Sequence, residues 1–578
     1  MGVTRPAPRR RRRALRLVPV LLLAAAAFAA GALVAAGRGS DERDAVRRFT
    51  EAWERGDYGA MHAELTGASA ARVPVRSFAR RYRSAAATAT LESLRTGPPA
   101  RPRDGTVSVP VTARTRVFGT IRGTLEVPVR IEDDRPRIAW AQRLTFPGLR
   151  DGEKLTRRTN LPRRADILAR DGTPLAQGER RTSSFPAASA IAGALGPIPK
   201  DRAAELRAEG VPDDAQVGIS GLERVFDDRL RGRPGGVLRA GDRDLGAAVA
   251  EAGDAVRTSI STKVQAAAVE ALADRLGGIA AVRPATGEIL ALAGIAFSGL
   301  QPPGSTFKMV TLSAALDAKV AGPNSSYPVQ TSTTLEGVEL QNANGEACGG
   351  SLTNAFAHSC NSVFAPLSVR IGAKRLVSMA ERLGFNTPTG IPGAATSTIP
   401  PARELGDDLN IGSTGIGQGR VQATALQMSW IAATIGTRGR RPRLTLEAKP
   451  QGRRSDRVMR QGTASQVAKM MTAVVASGTG GAAAIEGVRV AGKTGTAELR
   501  STQRPECKVT PPEEGQPDPP PPPEDCPKPD DPSDTDAWFS AFAPAGDPRI
   551  AVGVLLVGAG AGGDAAAPAA KTVLQAAL

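Results

Sequence analysis

Apolar positions recur in different rhythms along this chain, and each rhythm predicts a different element. Residues 17–37 run for 21 positions without a charge, and a helix rising ~1.5 Å per residue over that length crosses the hydrocarbon core of a bilayer. From Asp41 the rhythm is helical: Val46, Phe49 and Trp53 share a stripe, followed by Tyr58, Met61 and Leu65. Strict alternation comes next in Val107, Val109 and Val111, then in Leu125, Val127, Val129 and Ile131, predicting half-buried strands of an antiparallel sheet. The stretch from Arg163 to Ala176 reads as a strand, an Asp171-Gly172 turn and a second strand. A Pro302-Pro303-Gly304 turn signal then predicts a helix opening at Gly304-Ser305 and running through Leu312, and Val488-Arg489-Val490-Ala491 reads as a strand. Over 504–536 every rhythm stops: twelve prolines and ten acids against three basic residues predict an extended or polyproline segment outside any core.

Charge refines the first of these elements. The net charge is +18, and seven arginines with no acid fall in residues 1–16. A basic tail before an uncharged run places the N-terminus inside and everything after Arg38 outside the membrane. A cleaved signal peptide, cut near Ala35-Ala36-Gly37, is the competing reading. Nucleic acid is not expected as a partner, because the remaining arginines are scattered and aromatics make up 4% of the chain. An exterior location also suits the cysteines. Cys507 and Cys526 flank the proline-rich segment and can close it, while Cys348 and Cys360 form a second possible pair unless Cys360 is a buried free thiol. Without a C-x-x-C spacing, and with His358 as the one nearby histidine, no metal site is expected.

Candidate chemistry lies in three short motifs in a fixed order: Ser305-Thr306-Phe307-Lys308, Ser359-Cys360-Asn361 and Lys493-Thr494-Gly495-Thr496. Each alone has a plain structural reading as a helix start, a cap or a strand end. Together they match the S-x-x-K, S-x-N and K-T-G set of serine acyl-transfer enzymes. A serine hydroxyl needs a neighbouring base, and on a helix Ser305 and Lys308 fall on one face at i and i+3, so lysine stands where other serine enzymes use histidine. That lysine must be neutral to take a proton, which calls for burial or a cationic neighbour such as Lys493.

From Val256 onward the chain resembles the transpeptidase domain of class B penicillin-binding proteins beyond these motifs. Thr258 to Gln265 is similar to the family's opening segment, with Ser261 where aspartate is usual, and Pro284 to Ala291 looks like the hairpin ahead of the nucleophile. Gly417-Gln418-Gly419 with Leu426-Gln427-Met428 resembles the family's G-Q-G segment, with Ala425 in place of proline, and Ala537 to Pro544 resembles the strand after K-T-G. The resemblance implies that Ser305 is the nucleophile, Lys308 its base, Ser359 a proton relay and Asn361 a substrate-amide ligand. It implies further that Lys493, Thr494, Gly495 and Thr496 bind the terminal carboxylate, with the backbone N–H groups of Ser305 and Thr496 as the oxyanion hole. The segment before it also carries likenesses. Helices first and strands after, with Ala52 to Tyr58 between, resemble the NTF2-like N-terminal domain of some class B proteins, and Arg163 to Ala176 with Gly221-Leu222-Glu223 resembles the pedestal domain.

The expected fold is therefore a multidomain α+β chain. Its parts are a cytoplasmic basic tail at 1–16, a single transmembrane helix at 17–37 and an NTF2-like α+β cone at 41–150. A β-rich pedestal or dimerisation-type domain follows at 151–256, and then a penicillin-binding transpeptidase α/β domain at 257–578, an antiparallel sheet flanked by helices with the insertion at 504–536. The implied function is peptidoglycan D,D-transpeptidation without a cofactor or metal, on stem peptides ending in D-alanyl-D-alanine. β-Lactams are the implied inhibitors, the cell membrane the location, and a SEDS-type glycosyltransferase the implied partner. A carboxypeptidase or β-lactamase, and a non-turnover β-lactam receptor or scaffold, are the alternatives. A bifunctional class A enzyme is disfavoured because the region before 256 shows strands and no E-D-x-x-F segment. The proline-rich segment generates the first prediction. Replacing residues 506–534 with a short Gly-Ser loop leaves the melting temperature nearly unchanged, because so few apolar residues contribute little buried area. A large drop in a thermal melt contradicts this.

Overall fold

Four helices open the described chain: one whose described part covers 40–54, then Tyr58–Ala63, Gly67–Arg72 and Val75–Thr88. The computed structural model describes residues 40–448, 455–498 and 534–578. The basic tail, the expected span at 17–37, Cys507, Cys526 and most of the proline-rich segment lie outside them. Among the described residues no helix is long and apolar enough to cross a membrane.

The described residues divide into two compact units, one within the bounds Met1–Arg163, Pro197–Ala215 and Arg231–Gly253, the other within Arg164–Gly196, Gln216–Leu230 and Asp254–Leu578. Residues 151–256 thus contribute to both. In the first unit the helices are followed by a sequential antiparallel sheet of Leu91–Thr96, Thr106–Thr115, Thr120–Glu132 and Arg135–Ile138. Val46, Phe49 and Trp53 from the helical stripe join Val107, Val109, Val111, Leu125, Val127 and Val129 in one core. Ile131 departs from its predicted alternation and is 51% exposed. It pairs with Pro136 at the end of a hairpin whose Asp133 and Asp134 both take positive φ, so the strand has run past the core there.

The second unit is built on a five-stranded antiparallel sheet in the order Ile289–Gly294, Gly277–Val282, Ile550–Leu556, Thr535–Ala543, Ala491–Glu498. Helices Thr262–Leu272 and Ala567–Ala577 cover one face, where they bury Ile279, Phe539 and Val554. The opposite face buries Val282, Trp538 and Leu555 against a second cluster that includes helices Ala425–Gly436 and Lys308–Asp317. Coverage on both faces is why Gly277–Val282, Ile289–Gly294 and Ile550–Leu556 read as continuous apolar runs and carry no alternation. Asp534, Thr535 and Asp536, expected within the proline-rich segment, are folded. Thr535 and Asp536 pair with Glu498 and Ala497, extending the ladder to the end of the Lys493 strand. The Asp171-Gly172 turn expected from sequence joins the antiparallel strands Ile167–Leu168 and Pro174–Ala176.

A buried ion network supports this unit. Arg164 meets Glu223 at 2.7 Å and Asp227 at 2.8 Å, while Arg181 meets the other Glu223 oxygen at 2.6 Å. Glu223 and Asp227 side chains are each 1% exposed. Removing one member strands buried charges on the others, which typically costs about 3–5 kcal/mol. Glu223→Ala therefore lowers the melting temperature and exposes residues 164–196 and 216–230 to limited proteolysis, while Arg164→Met/Glu223→Leu is less damaging than the sum of its single changes. Additive losses in the double variant contradict the network.

Candidate active site

The nucleophile candidate lies on a tighter turn than its sequence predicts. Gly304–Phe307 is one turn of 3-10 helix, and the α-helix starts at Lys308 and runs to Asp317. Ser305 still reaches Lys308, whose Nζ is 2.9 Å from Ser305 Oγ. The same Nζ donates to the Ser359 carbonyl at 2.6 Å and to Asn361 Oδ1 at 2.6 Å, and lies 3.2 Å from Ser359 Oγ. The buried Lys308 amine thus gathers the other three defining residues of the first two motifs, Ser305, Ser359 and Asn361. Asn361 is fixed in turn, because its Nδ2 donates to the Gln341 carbonyl at 2.7 Å.

Ser359 occupies the turn between helices Leu352–Ala357 and Asn361–Ile371 with φ +62°. That conformation is uncommon for a residue with a side chain and clusters at functional sites. Cys360, next to it, is bonded to Cys348. Of the two sequence readings for this pair, the structure has the disulfide.

The third motif lies on the strand Ala491–Glu498, at an edge of the five-stranded sheet. Its close approach to the nucleophile turn depends on glycine. A Cβ on Gly495 would meet the Pro303 carbonyl at 2.9 Å, and one on Gly304 would meet the Thr496 carbonyl at 2.5 Å. Lys493 Nζ donates to the Thr494 carbonyl at 3.1 Å and lies 3.4 Å from Thr494 Oγ1. Thr496 Oγ1 accepts from the Gly562 amide at 3.3 Å.

Both lysines are fully buried, and no carboxylate pairs with either among the described residues. Burial first, then the positive charge of Lys493, holds the Lys308 amine well below the usual lysine range. Burial alone brings Lys493 down to about 7. The site therefore presents a neutral base within hydrogen-bond reach of a hydroxyl, the arrangement needed to activate a serine nucleophile.

Several contributors escape the sequence reading. Thr479 places its hydroxyl 2.6 Å from Thr494 Oγ1, and nothing in the local sequence marks it. The Phe364 ring lies 5.7 Å from Lys308 Nζ and the Phe356 ring 5.5 Å from Lys493 Nζ. Their spacing of four residues on either side of Cys360 was a legible signal.

A family model described as the penicillin binding protein transpeptidase domain matches residues 277–575, more than half of the chain. The chain belongs to the penicillin-binding protein transpeptidase family. A second model, the penicillin-binding protein dimerisation domain, matches residues 176–254. The chain is 31% identical over 426 residues to the peptidoglycan D,D-transpeptidase PbpA of Mycolicibacterium smegmatis, an alignment covering 62% of this chain and 79% of that relative. Among solved structures it is similar to the D,D-transpeptidase domain of a peptidoglycan glycosyltransferase from Eggerthella lenta, with a TM-score of 0.55 and 27% identity over 72% of this chain and 98% of that one. PBPA from Mycobacterium tuberculosis matches with a TM-score of 0.53 and 26% identity, covering 72% of this chain and 99% of that one.

The lowered lysines make stability depend on pH. Between about 7, the value for folded Lys493, and the ordinary lysine value of 10.5, the unfolded chain holds a proton that the folded transpeptidase unit has released. Stability therefore rises with pH across that window, by up to about 1.4 kcal/mol per pH unit for each such proton. Lys493→Met flattens the rise in urea midpoint between about pH 7.5 and 9.5; equal slopes in the variant and the natural chain overturn the assignment.

Proposed function

We propose that this chain is a class B peptidoglycan D,D-transpeptidase that works through an ester at Ser305. The observation that carries the proposal is the fully buried Lys308 amine, held well below the usual lysine range by that burial, 2.9 Å from Ser305 Oγ. Ser305 Oγ attacks the carbonyl carbon of the D-alanyl-D-alanine peptide bond while Lys308 takes its proton. The backbone N–H groups of Ser305 and Thr496 receive the oxyanion, a role in which one lost donor typically costs about 100- to 1000-fold in rate. Collapse breaks the C–N bond, and D-alanine leaves with a proton relayed through Ser359. An amine of a second stem peptide then attacks the ester, gives up a proton through the same groups, and returns Ser305 to its hydroxyl form.

Asn361 and the edge strand position the donor peptide, whose terminal carboxylate meets Lys493, Thr494 and Thr496. An edge strand leaves backbone donors and acceptors free to pair with an extended peptide. With its amine near 7, Lys493 is only partly charged at neutral pH, so carboxylate binding draws a proton onto it.

The proposal extends to placement and partners. Residues 17–37 anchor the protein as a single-pass membrane chain with residues 1–16 in the cytoplasm and the catalytic domain outside, supported by the basic tail and the uncharged run. The helices and sheet of residues 41–150 form an NTF2-like domain serving as a spacer or partner surface. A SEDS-type glycosyltransferase supplies the glycan strands, and β-lactams acylate Ser305 as substrate mimics.

Intact-mass analysis after treatment with a fluorescent penicillin tests the core of this. The natural chain gains one adduct and Ser305→Ala gains none; labelling of the alanine variant would remove Ser305 as nucleophile. Lys308→Ala slows acylation by about 100-fold or more for charged and neutral donors alike, whereas Lys493→Ala weakens binding of carboxylate-bearing donors more than neutral ones. Turnover of a D-alanyl-D-alanine peptide with and without an acceptor amine separates aminolysis from hydrolysis, and hydrolysis unaffected by amine would identify a carboxypeptidase.

A further inference from the structure

The turn that carries Ser359 is held unevenly. On its helical side two amides secure it, Ser359 N to the Phe356 carbonyl at 3.2 Å and Cys360 N to the Ala355 carbonyl at 2.9 Å. On its other side it is tied to the strand Cys348–Ser351 by the Cys348–Cys360 bond. That strand pairs with Ser326–Gln330, where Gln330 lies opposite Cys348. Both cysteines are buried, Cys360 completely.

Cys360 also falls midway in sequence between two phenylalanines whose rings are in contact. Phe356 and Phe364 lie four residues before and after Cys360, and their centroids are 5.8 Å apart. Phe356 faces the Lys493 amine and Phe364 the Lys308 amine. The loop closed by the disulfide contains Phe356, the whole of helix Leu352–Ala357 and Ser359. Phe364 lies just beyond that loop, on the helix that Cys360 caps.

We propose that the Cys348–Cys360 disulfide is a positioning element for acylation, keeping the Ser359 turn seated on Lys308 and the two phenylalanine rings closed over the site's two amines. The proposal rests on the acyl-enzyme reading above. Its chemical consequence follows from what holds the amines neutral. Lys493 is the one charge acting on Lys308 among the described residues. The other groups facing its Nζ are the uncharged Ser305 of the 3-10 turn, Ser359 of the inter-helix turn and Asn361 of the following helix. Asp317, at the far end of the nucleophile helix, is paired with Arg382 and Arg460. With no carboxylate to answer for, dryness sets the protonation of Lys308, and water admitted beside the rings favours the charged, inactive form.

The test compares acylation by a fluorescent penicillin across about pH 6 to 10 in the full-length protein, with Cys507→Ser and Cys526→Ser in every sample so that no other thiols intervene. The samples are the otherwise unchanged protein, Cys348→Ala, Cys348→Ala/Cys360→Ala, and the unchanged protein reduced by dithiothreitol with its thiols counted. In that reduction two electrons and two protons convert the disulfide to two thiols, while the dithiol closes to its own cyclic disulfide. The expected result is an acid limb of the rate profile moved up by about one pH unit, so that rates fall by up to about tenfold along that limb and converge at high pH. The reduced protein matches the variants, and it carries the test if Cys348→Ala does not fold. Rates lowered equally at every pH, or an acid limb that does not move, would overturn the proposal and leave the disulfide a general support. Failure of the oxidised protein itself to acylate at Ser305 would overturn the underlying reading instead.

Discussion

Keeping an amine uncharged at neutral pH is the constraint on which the rest of this structure depends. An isolated ammonium in a protein interior is costly, and the usual answer is a carboxylate partner. Here such a partner would lock Lys308 in its charged form and remove the base. The fold instead surrounds Nζ with oxygens of Ser305, Ser359 and Asn361, none of them charged, and sets Lys493 nearby as a repelling neighbour. Satisfying the amine without neutralising it electrostatically is what makes the first two motifs converge on one nitrogen.

That convergence demands a stiff frame, because three chain segments far apart in sequence must hold it together. The frame is the five-stranded sheet covered on both faces. The Lys493 strand is set by its register with Thr535–Ala543, Lys493 lying opposite Ser540. The nucleophile helix packs in the same core cluster as Trp538 and Leu555 of the sheet. Motion at either element is therefore resisted by a core, and the Ser359 turn, outside the sheet, is tied to that same core through Phe356, Cys360 and Phe364 and carries a covalent link besides.

Residues that the structure gathers around the two buried amines were legible in the sequence. Ser305, Lys308, Ser359, Asn361 and Lys493 announce themselves by type and order, as the helical stripe ending at Trp53 announced the first core by its period. What stayed hidden depends on tertiary burial. The Thr479 hydroxyl acquires its meaning only when the chain returns beside Thr494. The apolar sheet strands, covered on two sides, hide their register, and the departure of Ile131 reflects where the core ends rather than how the strand alternates. The choice between a bonded and a free Cys360 rested on whether a strand twelve residues earlier lay alongside it. The start of the nucleophile helix was misplaced because turn signals mark where a chain reverses, not whether its first turn is wound as 3-10 or α.

Glycine contacts around the site bear on how it can evolve. A methyl group on Gly304, Gly417, Gly495 or Gly562 would strike main-chain oxygen, at distances from 1.9 to 2.9 Å. Main chain cannot swing aside as a side-chain tip can, so single substitutions at these positions are closed routes. Selection acting on this pocket, whether from a new donor peptide or from a drug, is channelled to its rim and to side chains packed behind it. Lineages descended from this protein should therefore diversify around an inherited, nearly immobile centre.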